Sequence, residues 1–312
     1  MGIVVVGAVF VDIKGYPDTK FIPGGRNVGR VLQVHGGVCR NVAEDIANIE
    51  LKPTFVSVVD HTGISDDVLS KLKRHKIDTT YVRRTENGLG TWLAVFDNGG
   101  DVVASVSKRP DLSEIGRIFE EHGDEIVRDA DSIVVEIDME ASILKTIFQL
   151  AEKYQKKVYA IVSNMSIAVE RRDLLKKTDC VVCNLEESGI LFSEDYSEKM
   201  PEEMAEILTR KLLLSQIPKM IVTMGERGAV WADGEGNHGI CPPQKVTVVD
   251  TTGCGDAFFA GVAVGLTYGK DLAESCTIGT RLASSVIATK ENVCPRFLPE
   301  EFSLALDGGL SR

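Results

Sequence analysis

The chain is predicted to be an α/β protein built on a mostly parallel central sheet with helices on both faces. Three observations lead there. Short runs rich in Val and Ile recur at residues 3–9, 54–59, 132–136, 158–162, 180–183 and 220–223. Amphipathic stretches at helical spacing alternate with them, at 38–48, 65–76, 139–154 and 201–215. Strand–helix–strand repetition of this kind buries a parallel sheet between two helical layers. The length, 312 residues, is enough for one such domain with a sizeable core.

Taken in order, the first run begins at the N-terminus. Met1-Gly-Ile-Val-Val-Val-Gly reads as a buried strand, without the basic region and small-residue cleavage site of a secretory leader. Residues 13–33 then break the pattern with Gly and polar residues. The helix at 38–48, the strand at 54–59 and the helix at 65–76 restore it. A second break follows at Thr91-Trp-Leu-Ala-Val-Phe-Asp-Asn-Gly-Gly-Asp-Val-Val-Ala-Ser-Val106, two strands around Asn98-Gly99, a strong hairpin signal. Both breaks are read as a small β-rich lid, about residues 13–35 and 88–108, inserted into a single domain spanning 1–312. A lid excludes water from a reacting site.

Charge narrows the function. The formal net charge is −11 and the isoelectric point about 5.1. An acidic surface repels nucleic-acid phosphates, so no nucleic-acid partner is expected. No stretch of about 18 apolar residues occurs, so no membrane helix is expected, and the cytoplasm is the expected location. Seven cysteines at scattered spacings make a disulfide framework improbable. Cys180-Val-Val-Cys183 has metal-motif spacing. It lies in an apparent strand, however, where residues three apart point to opposite faces, so both are read as small buried hydrophobes.

The chemistry concentrates in Val248-Val-Asp-Thr-Thr-Gly-Cys-Gly-Asp-Ala-Phe-Phe-Ala-Gly-Val262. An apolar strand end leads to Gly253-Cys254-Gly255 and then to a helix from about Asp256. The glycines permit a tight turn, and free amides at a helix start favour an anion. Two readings of Asp256 stand on the residues alone. It caps the helix, or it accepts the proton of an attacking hydroxyl. As a whole the segment resembles the signature of the ribokinase-like family, the phosphofructokinase-B type of sugar and nucleoside kinases. The resemblance implies a catalytic base at Asp256 and an anion hole at Gly253, Cys254 and Gly255.

Other elements of that family occur in its order across nearly the whole chain. Gly36-Gly37-Val-Cys-Arg-Asn41-Val-Ala resembles its Gly-Gly-x-x-x-Asn-x-Ala element, which with Asp12 implies contacts to a substrate hydroxyl. Asn184-Leu-Glu-Glu187 resembles the Asn-x-x-Glu element, implying that Glu187 organises Mg²⁺, largely through water. Thr223-Met-Gly225-Glu-Arg-Gly228 resembles the turn lining the ATP site, to which Thr252 also contributes. The resemblance further implies ATP and Mg²⁺ as cofactors, K⁺ on backbone carbonyls around Asp250 and Thr252, and a homodimer through the lid. Gly24-Gly-Arg-Asn27-Val-Gly29-Arg30 and the following Gly36–Glu44 segment resemble the pseudouridine kinase branch. That likeness implies contacts to the acceptor from Asn27, with Arg30 and His35 as further polar candidates.

The expected function is therefore ATP-dependent phosphorylation of a small nucleoside or sugar, foremost the 5′-hydroxyl of pseudouridine. A ribokinase-like sugar kinase, another nucleoside kinase or a non-catalytic nucleotide- or sugar-binding regulator are the alternatives. A Rossmann dehydrogenase is disfavoured, because Gly7 opens no G-x-G-x-x-G after the first strand. Two departures stand out. Ser107-Lys-Arg-Pro-Asp111 stands where the pseudouridine kinase branch has a polar Asn-Asp-Met-Asp-type stretch, with only the last Asp matching, and Cys254 replaces the family's usual Ala. A helix N-terminus would stabilise a thiolate at Cys254 and make activity sensitive to alkylation.

Overall fold

A computed structural model describes residues 2–99 and 102–304. Asp101 of the expected hairpin and both ends of the expected 1–312 domain lie outside the described residues. The chain opens with β1 (Ile3–Val6), leaves through β2 (Phe10–Pro17) and β3 (Gly29–Gly36), and returns by α1 (Val38–Asn48) to β4 (Thr54–Val59). Helix α2 (Gly63–Arg74) leads to β5 (Val82–Arg84), then to β6 (Gly90–Phe96) and β7 (Val102–Lys108). Next come α3 (Ser113–Arg128), β8 (Ser132–Glu136), α4 (Ala141–Lys153) and β9 (Val158–Ile161). The short α5 (Met165–Ala168) and α6 (Arg172–Leu175) precede β10 (Cys180–Asn184), α7 (Leu185–Phe192) and α8 (Pro201–Ser215). Strands β11 (Lys219–Thr223), β12 (Ala229–Asp233) and β13 (His238–Cys241) are followed by α9 (Cys254–Thr267) and α10 (Leu272–Ile287).

The large sheet has the order β13-β12-β11-β10-β9-β8-β1-β4-β5. Its ladders are parallel from β5 through β11 and antiparallel at β12 and β13. Strand alternation divides the core in two. Val4, Val6, Val56, Val58, Ile133 and Val135 pack with Ile115, Leu144 and Leu208 from α3, α4 and α8. Ile3, Val5, Phe55, Val59 and Val134 pack with Ile46, Phe259 and Leu282 from α1, α9 and α10. Each fully buried Val, Leu, Ile or Phe contributes about 1.5–3 kcal/mol, so both faces need their helices. Cys180 belongs to the second cluster and Cys183 to the first, on opposite faces and both buried. No helix among the described residues is long and apolar enough to cross a membrane.

Some boundaries differ from the sequence expectation. The strand read at 3–9 ends at Val6. Gly7 N still donates to Val56 O, but Ala8 N donates to the Glu136 carboxylate at 3.0 Å, which carries the chain out of the ladder. The helix read at 65–76 is Gly63–Arg74, because Lys76 turns left-handed with φ 62°. The helix read at 139–154 is Ala141–Lys153, and the one expected from about Asp256 starts at Cys254.

The two breaks in the pattern form one four-stranded sheet, β3-β2-β6-β7, starting at Phe10 rather than residue 13. Strand β2 is antiparallel to β3 and parallel to β6, while β6 and β7 are antiparallel. Phe21 N donates to Asn98 Oδ1 at 2.9 Å, tying the two excursions together at their tips. The register places Asp12, Lys14 and Tyr16 on one face with Trp92, Ala94 and Phe96. Tyr16 stacks on Phe96 with ring centroids 4.7 Å apart, and Trp92 meets Phe96 edge-on. The other face carries Val31, Leu93 and Val106, all exposed. Parallel strands place their carboxyl ends along one edge of the large sheet. Strand β2 leaves from that edge, just past β1.

Candidate active site

The turn before α9 is shaped by its glycines. Gly253 is the N-cap residue, with φ 80°, and a Cβ there would strike the carbonyl oxygen of Asn292. At Gly255 a Cβ would meet no heavy atom within 4 Å, so this side of the turn is open. Thr252 N donates to Asp250 Oδ1 at 2.8 Å, which folds the approach to the turn. The first-turn amides of a helix lack intrahelical acceptors and carry the positive end of its dipole. Because Gly253 holds the cap, Asp256 is not the capping residue. It sits in the first turn with its carboxylate free for another role.

Asp256 Oδ2 accepts a hydrogen bond of 2.6 Å from Asn41 Nδ2. Surrounding protein strips water from this carboxyl and pushes its pKa up to about 7. Asn41 and Arg40 pull it down, while Glu136 and Asp12 push it further up. Asn41 is itself buried, and its Oδ1 has no hydrogen-bond partner among the described residues. A buried amide oxygen left this way costs about 1–3 kcal/mol, which a substrate hydroxyl would recover. Gly37, with φ 96°, starts α1 and accepts from Asn41 N at 2.9 Å. A Cβ on Gly37 would come 2.7 Å from Ala8 O, and one on Gly36 would strike the Asp12 carboxylate. Gly37 thus lets the start of α1 approach the backbone before β2, and Gly36 leaves room for the Asp12 carboxylate. Burial raises the Asp12 pKa, against the pull of Lys14 and Arg40.

Residues without an assigned role in the sequence reading complete this end. Arg40 is fully buried, bonding Glu44 Oε1 at 2.6 Å and the carbonyls of Gly36 and His35. Lys14 is buried and donates to Thr252 Oγ1 at 3.2 Å. Glu136 at the end of β8 and the nearby Asp138 share Ser163 Oγ, at 2.8 and 2.9 Å, and Arg109 bonds Asp138 at 3.0 Å. Burial first, and then Asp138, raise the Glu136 pKa. The available signal was position: Glu136 ends an apolar strand, and Lys14 alternates with Asp12 along one.

Asn184 and Thr223 end the adjacent parallel strands β10 and β11, in register. Asn184 Oδ1 accepts from Glu187 N at 2.8 Å and Asn184 N donates to Glu187 Oε2 at 2.7 Å, a capping box that starts α7. Burial raises the Glu187 pKa, with Glu186 and Asp138 adding to it. Gly225 and Gly228 have φ 60° and 87°, and Gly225 borders open space. Among the described residues no cluster of three or more His, Cys, Asp or Glu side chains is placed to hold a metal. The half-buried Glu187 fits a Mg²⁺ that keeps its waters and phosphate oxygens as ligands.

Three residues are engaged elsewhere. Asn27 bonds its own loop through Ile22 N, Ile22 O and Gly25 O. His35 Nε2 lies 3.0 Å from Asp67, and Arg30 lies over Tyr16. Cys254 departs from the thiolate expectation. Burial, and then Asp256, raise its pKa, so it is a protonated thiol.

The sequence profile of pfkB family carbohydrate kinases matches residues 2–295. The chain belongs to the pfkB family of carbohydrate kinases. It is a phosphotransferase acting on an alcohol group. A guanosine-inosine kinase of Exiguobacterium acetylicum is 34% identical over 295 residues, covering 93% of this chain and 95% of its own length. A pseudouridine kinase of Escherichia coli strain K12 is 24% identical, covering 92% and 90%. Among solved structures, Arabidopsis thaliana ribokinase complexed with ribose and ATP superposes with a TM-score of 0.81 at 20% identity, covering 96% of this chain and 97% of its own. Giardia lamblia ribokinase gives 0.83 at 17% identity, covering 96% and 98%. Those two likenesses show that the chain shares their overall fold.

Proposed function

We propose that this pfkB kinase transfers the γ-phosphate of ATP to the 5′-hydroxyl of a nucleoside. The observation that carries the reading is Asp256, held by Asn41 at the open first turn of α9. The acceptor lies among Asp12, Gly36, Gly37 and Asn41, with its hydroxyl against Asp256. Asp256 takes the hydroxyl proton as the oxygen bonds to the γ-phosphorus. The bond from that phosphorus to the bridging oxygen breaks, and ADP leaves. The amides of Gly253, Cys254 and Gly255 receive the charge on the phosphoryl oxygens. ATP lies over Asn184, Thr223, Gly225, Gly228 and Thr252. Glu187 would hold Mg²⁺ through its waters, which would neutralise phosphate charge, and the backbone carbonyls of the Asp250–Thr252 turn would hold K⁺.

A nucleoside rather than a bare sugar is favoured by the aromatic face of the smaller sheet. Tyr16, Trp92 and Phe96 lie on the same side as Asp12, where a planar base would meet an aromatic surface. The 34%-identical relative is named for guanosine and inosine, so these purine nucleosides come first. Pseudouridine is the second reading, supported by the likeness of residues 24–44 and by the 24%-identical relative. Asn27 then serves the acceptor by fixing the loop at the tip of the lid.

The test is ATP consumption with Mg²⁺ and K⁺ against guanosine, inosine, pseudouridine, uridine, adenosine, ribose and fructose 6-phosphate. Turnover with one nucleoside well above the sugars is expected. Turnover confined to ribose or fructose 6-phosphate overturns the nucleoside reading. Absence of turnover with all seven favours a non-catalytic binding role.

The exposed face of the lid suits a homodimer. Val31 and Val106 are each 71% exposed and share that face with Leu93. Light scattering is expected to give a dimer for the wild type and a monomer for Val106→Glu. A wild-type monomer at micromolar concentration would remove the dimer.

A further inference from the structure

We propose that Lys14 is a catalytic residue whose ammonium group grips the γ-phosphoryl group of ATP during transfer. The inference rests on the kinase reading above and assigns a charge that the anion turn itself lacks. Lys14 is only 6% exposed. Its bonded partner is a neutral hydroxyl, Thr252 Oγ1 at 3.2 Å, and it forms no salt bridge among the described residues. An ammonium carries three donors, so two remain uncommitted. A buried cation with no bonded counter-ion is costly, and such groups persist where an anion joins them. The anion that belongs at this place is phosphate. Thr252 adjoins Gly253, the cap of the turn, and Asp12 shares the Lys14 face of β2 and feels its charge. The amides of residues 253–255 offer only partial charges. A full cation from the opposite side would meet the charge on the three phosphoryl oxygens.

Position makes the contact selective. Lys14 comes from the smaller sheet, 238 residues from Thr252, whereas the α- and β-phosphates would lie toward β10 and β11. Lys14 therefore reads the γ-phosphate and not the rest of the nucleotide. The competing role is a tether that pins the lid to the turn. A tether would affect ATP and ADP alike.

Calorimetry with the full chain separates the two roles without an acceptor. The probes are Mg²⁺ complexes of ADP and of an ATP analogue with an imido β,γ-bridge. The wild type is expected to bind the analogue more tightly than ADP. Lys14→Met is expected to lose that preference while its ADP affinity holds, and Lys14→Arg to keep most of it. With an acceptor found by the screen, Lys14→Met is expected to lower kcat about 100-fold, with little change in the acceptor KM. An unchanged analogue-to-ADP ratio in Lys14→Met, or equal losses for both nucleotides, overturns the proposal. Should Lys14→Met not fold, the ratio is read in Lys14→Gln and Lys14→Arg. There a loss for Gln with retention for Arg supports the contact, and equal ratios overturn it. Absence of turnover in the wild type would count against the acceptor and the catalytic reading, while the binding comparison would still decide whether Lys14 contacts the γ-phosphate.

Discussion

Asp256→Asn is expected to yield a folded protein with kcat lowered about 100-fold or more. The amide fits the same space and can still pair with Asn41 after a flip of that side chain, so structure should survive while basicity is lost. Wild-type turnover in this variant would remove Asp256 from the mechanism. A pH series adds a second reading. The Asp256 carboxyl lies among Asn41, Arg40, Glu136 and Asp12, and burial pushes its pKa up to about 7. The base form therefore dominates above pH 7, and wild-type kcat/KM should rise to a plateau there. Stability moves the other way. A raised carboxyl pKa means that the folded state binds the proton more tightly than the unfolded chain. The Asp256 contribution is thus fully present below pH 4 and lost as pH rises to about 7. Asp256→Asn should melt above the wild type at pH 8, with the gap closing toward pH 4. A variant that melts lower at pH 8 would contradict the desolvated carboxylate.

Gly253→Ala should fail more broadly. The backbone there has φ 80°, and the added methyl would strike the carbonyl of Asn292. Such a conformation costs about 1–3 kcal/mol for a residue with a side chain, before the clash is counted. The turn must shift, and its amides move with it. A loss of about 100-fold in kcat is expected together with a lowered melting temperature. Gly255→Ala separates the two effects, because its Cβ points into open space. That variant should keep the wild-type melting temperature and still lose activity, since the methyl occupies the side of the turn where phosphoryl oxygens would lie. Full activity in both variants would detach the turn from catalysis.

The sequence showed most of the frame because its periodicities are strong there. Helix α1 at Val38–Asn48, strand β4 at Thr54–Val59 and helix α8 at Pro201–Ser215 fall where their apolar spacing puts them. The end of β1 was not legible. It depends on Glu136, 128 residues from Ala8, capturing that backbone N–H, and no local pattern records such a contact. The lid was legible as a break in the pattern, but its full sheet was not. Pairing of β2 with β6 brings Phe10 opposite Gly90 across a long gap in sequence. At the site, the Gly-rich turn and Asn41 could be read from their motifs. Lys14, Arg40, Glu136 and Asp138 could not, because each takes its significance from a partner or neighbour that only the fold supplies. Cys254 went the other way. The dipole argument alone favours a thiolate there; Asp256 stands only two positions on in the sequence, but the burial that dominates the shift cannot be seen in a one-dimensional reading.

The separation of the paired groups along the chain also fixes when the site comes into being. Asn41 meets Asp256 across 215 residues, and Asp45 meets Cys294 across 249. During synthesis, a chain emerging from the ribosome presents α1 long before its partner α9 exists. One whole side of the sheet, including Ile3, Val5, Phe55 and Ile46, must wait for Phe259 and Leu282. Contacts of such long range form late and slowly. The uncovered surface is meanwhile open to aggregation or chaperone capture. A nascent chain halted before residue 250 would hold β10 and β11 but not α9, so the proposed base and the turn before it would be the last parts of the site to arrive.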